Sequence, residues 1–512
     1  MKNSYDVAIV GYGPTGMTAA ALLGQAGHRV IVIERWPSLY GLPRLTHVDD
    51  DTARTLQEIC DIDRALADSS PTVYEWVNGD DDVLLSMATP MGNQGYPVHN
   101  SIYQPDIEVA IDARLRSLPN VTLRQGWILT GLAQETSDVR ITVAPFVDRH
   151  ADESRAEVVA AKYVIGCDGN RSSVRAALGV PVTEYDFHET WVTFDAEWLR
   201  PMPETFALAK QYCDPARGHM YMGIGRTRQR FEFAVLPGED PEKFADISTC
   251  WAWLEQTHGL GPQDLRPLRY LRYAFTGRVA DQWRSDRVFI AGDAAHTMPP
   301  YLGQGACSGV RDAANLAWKL DLVLRGLAGR QVLDTYESER RPHADFVVQS
   351  SIALGRIANT TDPEAAAARD KAFLDGSAAG PAPFPRLLDG VLHSDDEAAG
   401  TVAPQGRLTI DGRSGRGDDV LGGGFRLIAT SDGLAAITED DRQVLTALDV
   451  KVLDLGSATD EEGRYTQLLE ENRAAVALIR PDHIVYGVAA AAEASDLIQS
   501  LGVALHGRVA AP

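Results

Sequence analysis

Short apolar runs along the first part of the chain predict buried strands. Residues 5–10, 30–33, 162–166 and 287–291 are almost continuously apolar, as in strands that a parallel sheet buries on both faces. Residues 17–26 are rich in Ala and Leu and end at Gly27, which predicts a helix between the first two strands. The order strand, helix, strand is typical of an α/β domain with a parallel sheet.

The hydrophobic pattern changes between roughly residues 181 and 276. Residues 191–198 and 229–236 mix aromatic, charged and apolar types and predict strands of a second, inserted domain. Helices are predicted on either side of it, at residues 104–118 and 305–325. Residues 360–420 are rich in Ala, Gly, Pro and Asp, which predicts a linker or loop zone. Regular patterns resume near residue 425 and indicate a separate C-terminal domain.

Charge and composition exclude several classes of partner. The chain has 71 acidic and 48 basic residues, a formal net charge of −23, which opposes binding to nucleic acid and to anionic membranes. No apolar run approaches the ~18 residues of a membrane helix, and no signal peptide is evident, so we expect a cytoplasmic protein. The five cysteines form no C-x-x-C pair, so we expect neither disulfides nor a bound metal.

A glycine-rich turn stands between the first strand and the first helix. Gly11, Gly13 and Gly16 form a G-x-G-x-x-G pattern in the context that a dinucleotide-binding fingerprint requires. Gly11 permits the tight turn, Gly13 lets the backbone approach a pyrophosphate, and Gly16 lets helix and strand pack closely. Glu34 ends the second strand, where its carboxylate can accept hydrogen bonds from ribose hydroxyls. The segment therefore predicts a bound dinucleotide.

Two further motifs follow the fingerprint. Residues 166–175 contain a Cys-Asp-Gly sequence, and residues 292–296 read Gly-Asp-Ala-Ala-His, followed by Pro299-Pro300 and Gly303-Gln304-Gly305. In this order, the three motifs resemble the class A flavin-dependent aromatic hydroxylases, the p-hydroxybenzoate hydroxylase-like family, up to about residue 345. Residues 35–37 and 42–49 look most like the branch that contains 3-(3-hydroxyphenyl)propionate hydroxylase, with relatives that act on resorcinols and aromatic polyketides.

The resemblance implies a division of the chain into domains. A Rossmann-type FAD-binding α/β domain would comprise residues 1–75, 100–180 and 277–360, and an α+β substrate-binding domain residues 76–99 and 181–276. A linker at 361–400 would lead to a thioredoxin-like domain at 401–512, whose closing strand pair residues 478–487 resemble. The last cysteine is Cys307, so that domain cannot perform dithiol chemistry, and we expect it to support structure or a homodimer.

The same resemblance assigns cofactor-binding residues. Glu34 would bind the adenosine ribose of FAD, Arg44 and Gln104 its phosphates or ribitol, and Asp293 a ribitol hydroxyl. Asp168 belongs to the motif linked with both FAD and NAD(P)H. The remaining expected cofactor contacts, including those beside the isoalloxazine ring, are Arg35, Pro299, Pro300, Gly303, Gly305 and Ala306. The glycines precede a long helix, whose free N–H groups and positive end would stabilise the anion of reduced flavin.

A hydroxylase of this kind needs a base or hydrogen-bond relay that ionises the phenol. The candidates are His47, His188, Tyr221, Tyr270 and Tyr273. Each of them could equally be an ordinary polar residue of the core or the surface, without a catalytic role. His47 is favoured because it lies in the matched segment just after Arg44, and Pro299 and Tyr221 are the other residues expected at the catalytic centre. The arginines at 226, 228 and 230 could bind a substrate carboxylate or face solvent along a strand.

The implied activity is hydroxylation of a phenolic substrate with O2 and NADPH or NADH, through a flavin C4a-hydroperoxide. The cofactor carries the hard chemistry and the protein positions it. Two alternatives remain open. One is a tailoring oxygenase of the same fold that performs epoxidation, Baeyer–Villiger insertion or dearomatisation; the other is a non-catalytic FAD-fold binding protein. The sequence leaves the substrate and the choice of nicotinamide cofactor undetermined.

Overall fold

The computed structural model of the chain describes residues 4–380, 382–393 and 396–506. Residues 1–3 and 507–512, at the ends of the predicted domain ranges, and Pro381, Ser394 and Asp395 in the predicted linker lie outside the described residues. The α-helices, in chain order, are α1 Pro14–Gln25, α2 Asp50–Ile59, α3 Ile62–Ala65, α4 Gln104–Arg116, α5 Ser173–Leu178, α6 Ile247–His258, α7 Gly305–Arg325, α8 Thr335–Ala358, α9 Pro363–Leu374, α10 Gly417–Leu421, α11 Ser431–Ala435, α12 Glu439–Ala447, α13 Arg464–Glu471 and α14 Ala494–His506.

A nine-stranded sheet carries the four apolar runs. Its first strand lies between two parallel neighbours, so that Val7 pairs with both Val30 and Tyr163. The path through the sheet runs His150–Ala151, Val139–Val147, Glu157–Gly166, Ser4–Val10, Val30–Glu34 and Val121–Gln125, with Trp127–Gln134, Val288–Ile290 and Arg284–Ser285 paired beside it. Helix α1 packs against α4 and α7 and covers one face, which buries the parallel strands. The Rossmann-type domain is thus confirmed.

An eight-stranded sheet is formed largely by the inserted region. Its strands, in spatial order, are His296–Thr297, Leu265–Ala280, Val182–Trp198, Arg228–Ala234, His219–Ile224, Ala209–Tyr212, Tyr74–Val77 and Val83–Met87. All neighbours pair antiparallel except Ala209–Tyr212 and Tyr74–Val77, which are parallel. One face packs on α6, where Phe194, Phe231 and Leu254 are buried in one cluster. The other face is free to line a cavity.

Helices α4 and α7 begin at the residues that the sequence pattern predicts. Helix α1 begins at Pro14, three residues before the predicted start, because proline is well suited to the first helical position, where no intrahelical N–H bond is needed. The stretch from Ile247 to His258 is helical, and its aromatic residues pack in the sheet cluster. Within the described ranges, no helix combines the length and apolar character needed to cross a membrane.

The region predicted as a linker contains a helix. Asp362 caps α9 by accepting a 2.8 Å hydrogen bond from the Ala365 N–H, and Pro363 occupies its first position. Residues 365–368 are four consecutive alanines, which favour a helix without producing an apolar periodicity. Only Ala366 of this helix is buried. The hydrophobic pattern therefore gave no signal, and the prediction of loop over this stretch was wrong.

The C-terminal part builds its own four-stranded sheet. The order is Lys451–Asp454, Arg426–Ala429, Val476–Ile479 and Val485–Ala489, with the first pair parallel and the others antiparallel. The final two strands are the predicted closing pair, and the domain has the thioredoxin-like arrangement expected from the sequence. A three-stranded sheet of Arg413–Arg416, Arg407–Ile410 and Thr459–Asp460 adjoins it.

Buried ion pairs join this C-terminal domain to the FAD-binding part. Arg480 donates to Glu339 on α8 at 2.6 Å, and Glu339 also lies 2.9 Å from the Lys319 ammonium on α7. All three side chains are completely buried. Arg54 on α2 donates to Asp418 at 2.6 Å in a second such contact. Charges buried this deeply are tolerated only when paired, so the two parts cannot separate without exposing or orphaning them.

We predict that Arg480→Leu destabilises the fold by about 3–5 kcal/mol, because it leaves the carboxylates of Glu339 and Asp482 inside the protein without their guanidinium partner. The Arg480 guanidinium lies 5.2 Å from the Trp318 ring, so urea unfolding followed by tryptophan fluorescence reports on this junction. The control is Arg407→Leu, which breaks an exposed pair with Glu461 and should cost less than about 1 kcal/mol. Equal effects of the two substitutions would contradict the prediction.

Candidate active site

A cavity of about 1360 Å³ lies between the two large sheets. One wall is the edge at which the parallel strands end, including Val10, Gly11 and Ile33. The opposite wall is the inner face of the eight-stranded sheet, including Trp191 and Gln211. Ligands of parallel α/β sheets bind beyond the carboxyl ends of the strands, so this is the expected location of a bound dinucleotide.

The glycine-rich turn borders the cavity. Gly11 has φ +106, and a Cβ there would stand 2.2 Å from the Cys167 carbonyl oxygen, so both the backbone and the close approach require glycine. Gly13 differs, because no atom lies within 4 Å of the place where its Cβ would stand. Open space before the first turn of α1 is what a pyrophosphate at a helix N-terminus needs.

Glu34 is held so that its carboxylate faces the same cavity. One of its oxygens accepts a 2.9 Å hydrogen bond from the Tyr12 N–H, and the other accepts one of 2.9 Å from the Trp36 N–H. Each carboxylate oxygen can accept a second donor. Glu34 lines the cavity beside the glycine turn, in the position predicted for a residue that binds ribose.

Asp168 and Arg35 lie side by side at this end of the cavity. The Asp168 carboxylate accepts hydrogen bonds from the N–H of Ser173, at 2.6 Å, and from the Ser172 hydroxyl, at 2.5 Å. Burial raises the pKa of Asp168, and the hydrogen bonds from Ser172 and the backbone oppose the shift. Arg35 donates to the Asp168 carbonyl oxygen at 3.4 Å. The Asp168 side chain thus organises the turn before α5.

Gln104 shapes the loop that carries Arg44. Its amide oxygen accepts from the N–H groups of Arg44, at 2.8 Å, and of Leu45, at 2.7 Å, and its amide nitrogen donates to Glu108 at 2.6 Å. Arg44 itself is exposed and stacks 3.8 Å above the Tyr40 ring. Gln104 is therefore a positioning residue for this loop, while Arg44 keeps its charge directed at the cavity.

The N-terminus of α7 opens into the cavity through Gly305 and Ala306. Gly303, just before it, has φ +64, and a Cβ there would stand 2.9 Å from the His47 ring nitrogen. Pro299 and Pro300 line the same wall, and the Pro299 carbonyl accepts from the Ser351 hydroxyl at 2.6 Å. Helix N–H groups without intrahelical partners point at this space, as a site for developing negative charge requires.

Asp293 extends into the cavity from the turn Gly292–Ala294. No hydrogen-bond donor in the described ranges pairs with its carboxylate, which leaves both oxygens for a ligand. Desolvation by the surrounding walls raises its pKa, with His296 and Arg44 opposing the shift. The cavity thus offers three sites along its length: the Asp293 carboxylate, the open space beside Gly13 and the Glu34 carboxylate. This set fits an extended dinucleotide, whose sugar hydroxyls can donate to the carboxylates and whose pyrophosphate needs the open space.

A pair of histidines lies beside the α7 N-terminus. The His47 Nε2 is 2.8 Å from the His99 Nδ1, and the His47 Nδ1 is 3.5 Å from the Gly303 carbonyl oxygen. His47 is on a short strand, His47–Val48, which pairs with Asn100–Ser101 and through it with Ser70–Pro71. That pairing brings in His99, which the sequence analysis missed because no local pattern marks it. Both rings line the cavity.

The other predicted catalytic residues lie elsewhere. Tyr221 faces away from the cavity, since its neighbours Met220 and Met222 line it and side chains alternate along a strand. The Tyr221 hydroxyl instead donates to the Thr205 carbonyl at 3.0 Å within the aromatic core, so the structure does not support its catalytic role.

Of the remaining candidates, some line the cavity and others lie outside it. Tyr270 donates to the Phe244 carbonyl at 2.7 Å, and His188 is exposed. Tyr273 lines the cavity. Of the three arginines, Arg230 also lines it, whereas Arg228 pairs with Asp68 at 2.8 Å. The histidine pair is therefore the best-placed group for proton transfer.

Comparison with known proteins agrees with this geometry. Residues 4–351 match the family described as FAD binding domain, and residues 400–504 match the HcaD C-terminal domain. A probable NADH-specific resorcinol 4-hydroxylase of Rhodococcus jostii (strain RHA1) is 36% identical over 98% of this chain and 96% of its own. A 3-(3-hydroxy-phenyl)propionate/3-hydroxycinnamic acid hydroxylase of Mycolicibacterium gilvum (strain PYR-GCK) is 32% identical over 99% of this chain and 92% of its own.

Solved structures share the fold. The flavin-dependent monooxygenase PieE, in complex with FAD and substrate, matches with a TM-score of 0.81 at 24% identity, over 98% of this chain and 99% of its own. Aklavinone-11 hydroxylase, in a complex with FAD and aklavinone, matches with a TM-score of 0.76 at 24% identity, over 98% of this chain and 99% of its own. The chain belongs to the class A flavin-dependent aromatic hydroxylases. It is an FAD-dependent member of that family with relatives along almost its whole length.

We predict that Gly13→Val yields a folded protein that has lost most of its FAD. Gly13 has extended backbone angles that valine adopts, and the added side chain would meet open space in the protein. It would therefore clash only with a pyrophosphate bound at the turn. Flavin absorbance per protein measures occupancy, and circular dichroism measures folding.

Gly502→Val is the matched control, because a Cβ at residue 502 in α14 also meets open space, far from the glycine turn. It should keep full occupancy. Full FAD occupancy in Gly13→Val would show that the pyrophosphate does not lie at this turn.

Proposed function

We propose that the chain hydroxylates a phenol, with NADH as the electron donor and O2 as the co-substrate. The observation that carries this proposal is the hydrogen-bonded pair His47–His99 at the cavity wall, beside the N-terminus of α7. FAD, when bound along the row from Gly13 to Asp293, supplies the oxygen-transfer chemistry. The chain's own part is to hold that cofactor, exclude water and manage the phenol's proton.

The two ring nitrogens of His47 define a direction for proton transfer. If the His47 Nδ1–H donates to the Gly303 carbonyl, then Nε2 is an acceptor, and the His99 Nδ1–H must donate to it. That arrangement leaves the His99 Nε2 as an acceptor for a phenolic hydroxyl. As the aromatic ring loses electron density during attack, the hydroxyl becomes more acidic, and its proton passes to the pair.

Electrostatics keep the pair unprotonated at neutral pH. Burial, followed by the neighbouring His99, lowers the pKa of His47 to about 4, although Asp49 opposes this shift. Burial also lowers the pKa of His99, with Asp49 again opposing. Asp49 itself is held by Arg311 of α7, and it can stabilise the positive charge that a transferred proton creates. The pair is thus ready to accept a proton and has a counter-ion close by.

The relatives give further support to this proposal. The Rhodococcus jostii relative is named for resorcinol hydroxylation and NADH, and the Mycolicibacterium gilvum relative for hydroxyphenylpropionate and hydroxycinnamic acid. Both kinds of substrate contain a phenol, and the donor named for the first is NADH. The expected cytoplasmic location and homodimer stay predictions.

We predict that one oxygen atom of the product comes from O2. With a phenolic substrate, NADH and ¹⁸O2, the product mass should rise by one labelled oxygen, and H2¹⁸O should add none. NADH consumption without substrate should be at least roughly tenfold slower if substrate binding shifts the enzyme to its reducible state. Label entering only from water would end the monooxygenase proposal.

We predict a pH profile that reports the lowered pKa of His47. Because this pKa is about 4, the His47 ring is neutral above that value and accepts from the His99 N–H, and this acceptor of the relay is lost as the pH falls through it. The kcat/KM for a phenol should therefore vary little between roughly pH 6 and 8 and fall below roughly pH 5. If the base had the pKa of an ordinary imidazole, kcat/KM would instead fall near pH 6.5.

His47→Gln should lower the hydroxylation rate by roughly 100-fold while FAD remains bound, because the relay loses its central acceptor. The control is His188→Gln, which changes an exposed histidine of the substrate-binding region and should leave the rate within roughly twofold. A fall in rate centred near pH 6.5, or an unchanged rate in His47→Gln, would remove the pair from the mechanism.

A further inference from the structure

The inner face of the eight-stranded sheet presents its side chains in rows that the strand register defines. Glu232 pairs with Thr193 on one side and with Met220 on the other, and Met220 pairs with Gln211. All four of these residues line the cavity. The row also includes Leu271 and Trp76, so Glu232 is its acidic member within a mostly apolar wall.

The arginines of the adjacent row are occupied by protein acceptors. Arg230 donates to Asp195 at 2.6 and 2.9 Å and to the carbonyl oxygens of Arg44, at 3.1 Å, and Pro43, at 3.3 Å. Arg269 also donates to the Pro43 carbonyl and lies 3.6 Å from Asp195. These guanidinium groups fasten the Arg44 loop to the sheet, and among the described residues the Arg269 Nε has no hydrogen-bond partner.

Glu232 keeps one oxygen available. Its Oε1 accepts a 2.9 Å hydrogen bond from the Thr193 hydroxyl and lies 3.7 Å from the Arg230 Nε. Its Oε2 has no hydrogen-bond donor among the residues that the structure describes. The side chain is only 8% exposed, and burial raises its pKa, with Arg230 opposing. An oxygen of a cavity-lining carboxyl group that has no protein donor can accept a hydrogen bond from a bound hydroxyl group.

Thr46, which precedes His47 in the chain, contacts this wall at the row next to that of Glu232. The Thr46 hydroxyl donates to the Met222 sulfur at 3.3 Å, which places the strand of His47 beside Met222. Met220, opposite Glu232, is two residues further along the same strand, a distance of roughly 7 Å. A single aromatic ring with a hydroxyl at each of two positions can bridge such a gap.

We propose that the substrate is an uncharged phenol with a second hydroxyl group, which donates to the Glu232 Oε2 while the reacting hydroxyl donates to His99. This inference rests on the proposed function, because it names the substrate class of that same cavity. It makes Glu232 the specificity residue of the site. A hydroxyaryl carboxylic acid would bring a second carboxylate to the wall, so either two like charges are buried together or Glu232 takes up a proton. Both outcomes weaken binding.

The test compares three substrates: resorcinol, 3-methylphenol and 3-(3-hydroxyphenyl)propionate. NADH oxidation and product mass are measured for each with the FAD-loaded enzyme, and Kd is measured from the change in the flavin spectrum. We expect kcat/KM for resorcinol to exceed that for 3-methylphenol at least roughly tenfold, since one hydrogen bond to a charged group is lost. We expect an even larger preference over the carboxylate.

Two variants assign the preference to Glu232. Glu232→Leu should reduce the resorcinol to 3-methylphenol ratio roughly tenfold, because the acceptor oxygen is removed. Glu232→Gln keeps an acceptor but not the charge, and it should tighten the Kd for 3-(3-hydroxyphenyl)propionate relative to the original enzyme. Glu197→Gln is the matched control, since Glu197 lies on the same strand as Thr193 but pairs with Arg266 outside the cavity wall.

The outcomes separate the two proposals. Hydroxylation of none of the three compounds would count against the proposed function itself. Efficient hydroxylation with the carboxylate preferred would overturn the inference and leave the function standing. An unchanged substrate ratio in both Glu232 variants would likewise overturn it, and if Glu232→Leu loses its flavin, Glu232→Gln and the wild-type substrate series still decide. A change of the same size in Glu197→Gln would show that the effect does not belong to Glu232.

Discussion

The buried carboxylate of Asp312 holds the catalytic region together. It accepts hydrogen bonds from the Gly292 N–H at 3.0 Å, from His296 at 2.8 Å and from Arg340 at 2.9 Å. Although burial raises its pKa, the facing His296 and Arg340 lower it to about 2, so the group is charged under all ordinary conditions. One side chain of α7 thereby fixes α8 and the turn that carries Asp293. Losing the Arg340 guanidinium would leave this buried carboxylate without its charged partner, so this geometry is strongly specified.

That constraint determines what the flavin ring would meet. Because α7 is fixed to the Asp293 turn, its open N-terminus and the Asp293 carboxylate keep one relative position. Gly303 then allows His47 to pack directly against the backbone beside this helix. The positive helix end, the acceptor pair and the carboxylate therefore face a common space. Preorganised groups of this kind stabilise developing charge without reorganising during the reaction.

Much of this was predictable, and the exceptions have physical causes. The parallel strands, α4 and α7 follow from local hydrophobic patterns, and the glycine turn from its position between a strand and a helix. His99 was not predictable, since only the pairing of two short strands brings it to His47, 52 residues earlier in the chain. Tyr221 was misassigned because the pattern does not reveal which face of an inserted strand meets the cavity. Helix α9 was missed because a run of alanines has a high helix propensity but shows no periodic alternation of apolar and polar residues.

The C-terminal domain acts on the site through helix α2. Arg54 in α2 is buried and donates both to Asp418 of that domain and to the Ala403 carbonyl. The N-cap of α2 is Asp49, which accepts from the Thr52 N–H at 2.9 Å and pairs with Arg311 of α7. The helix therefore links the distant domain to the counter-ion beside His47. A domain without cysteines can in this way support catalysis through position alone, because a shift of α2 would move Asp49 and change the charge that the histidine pair experiences.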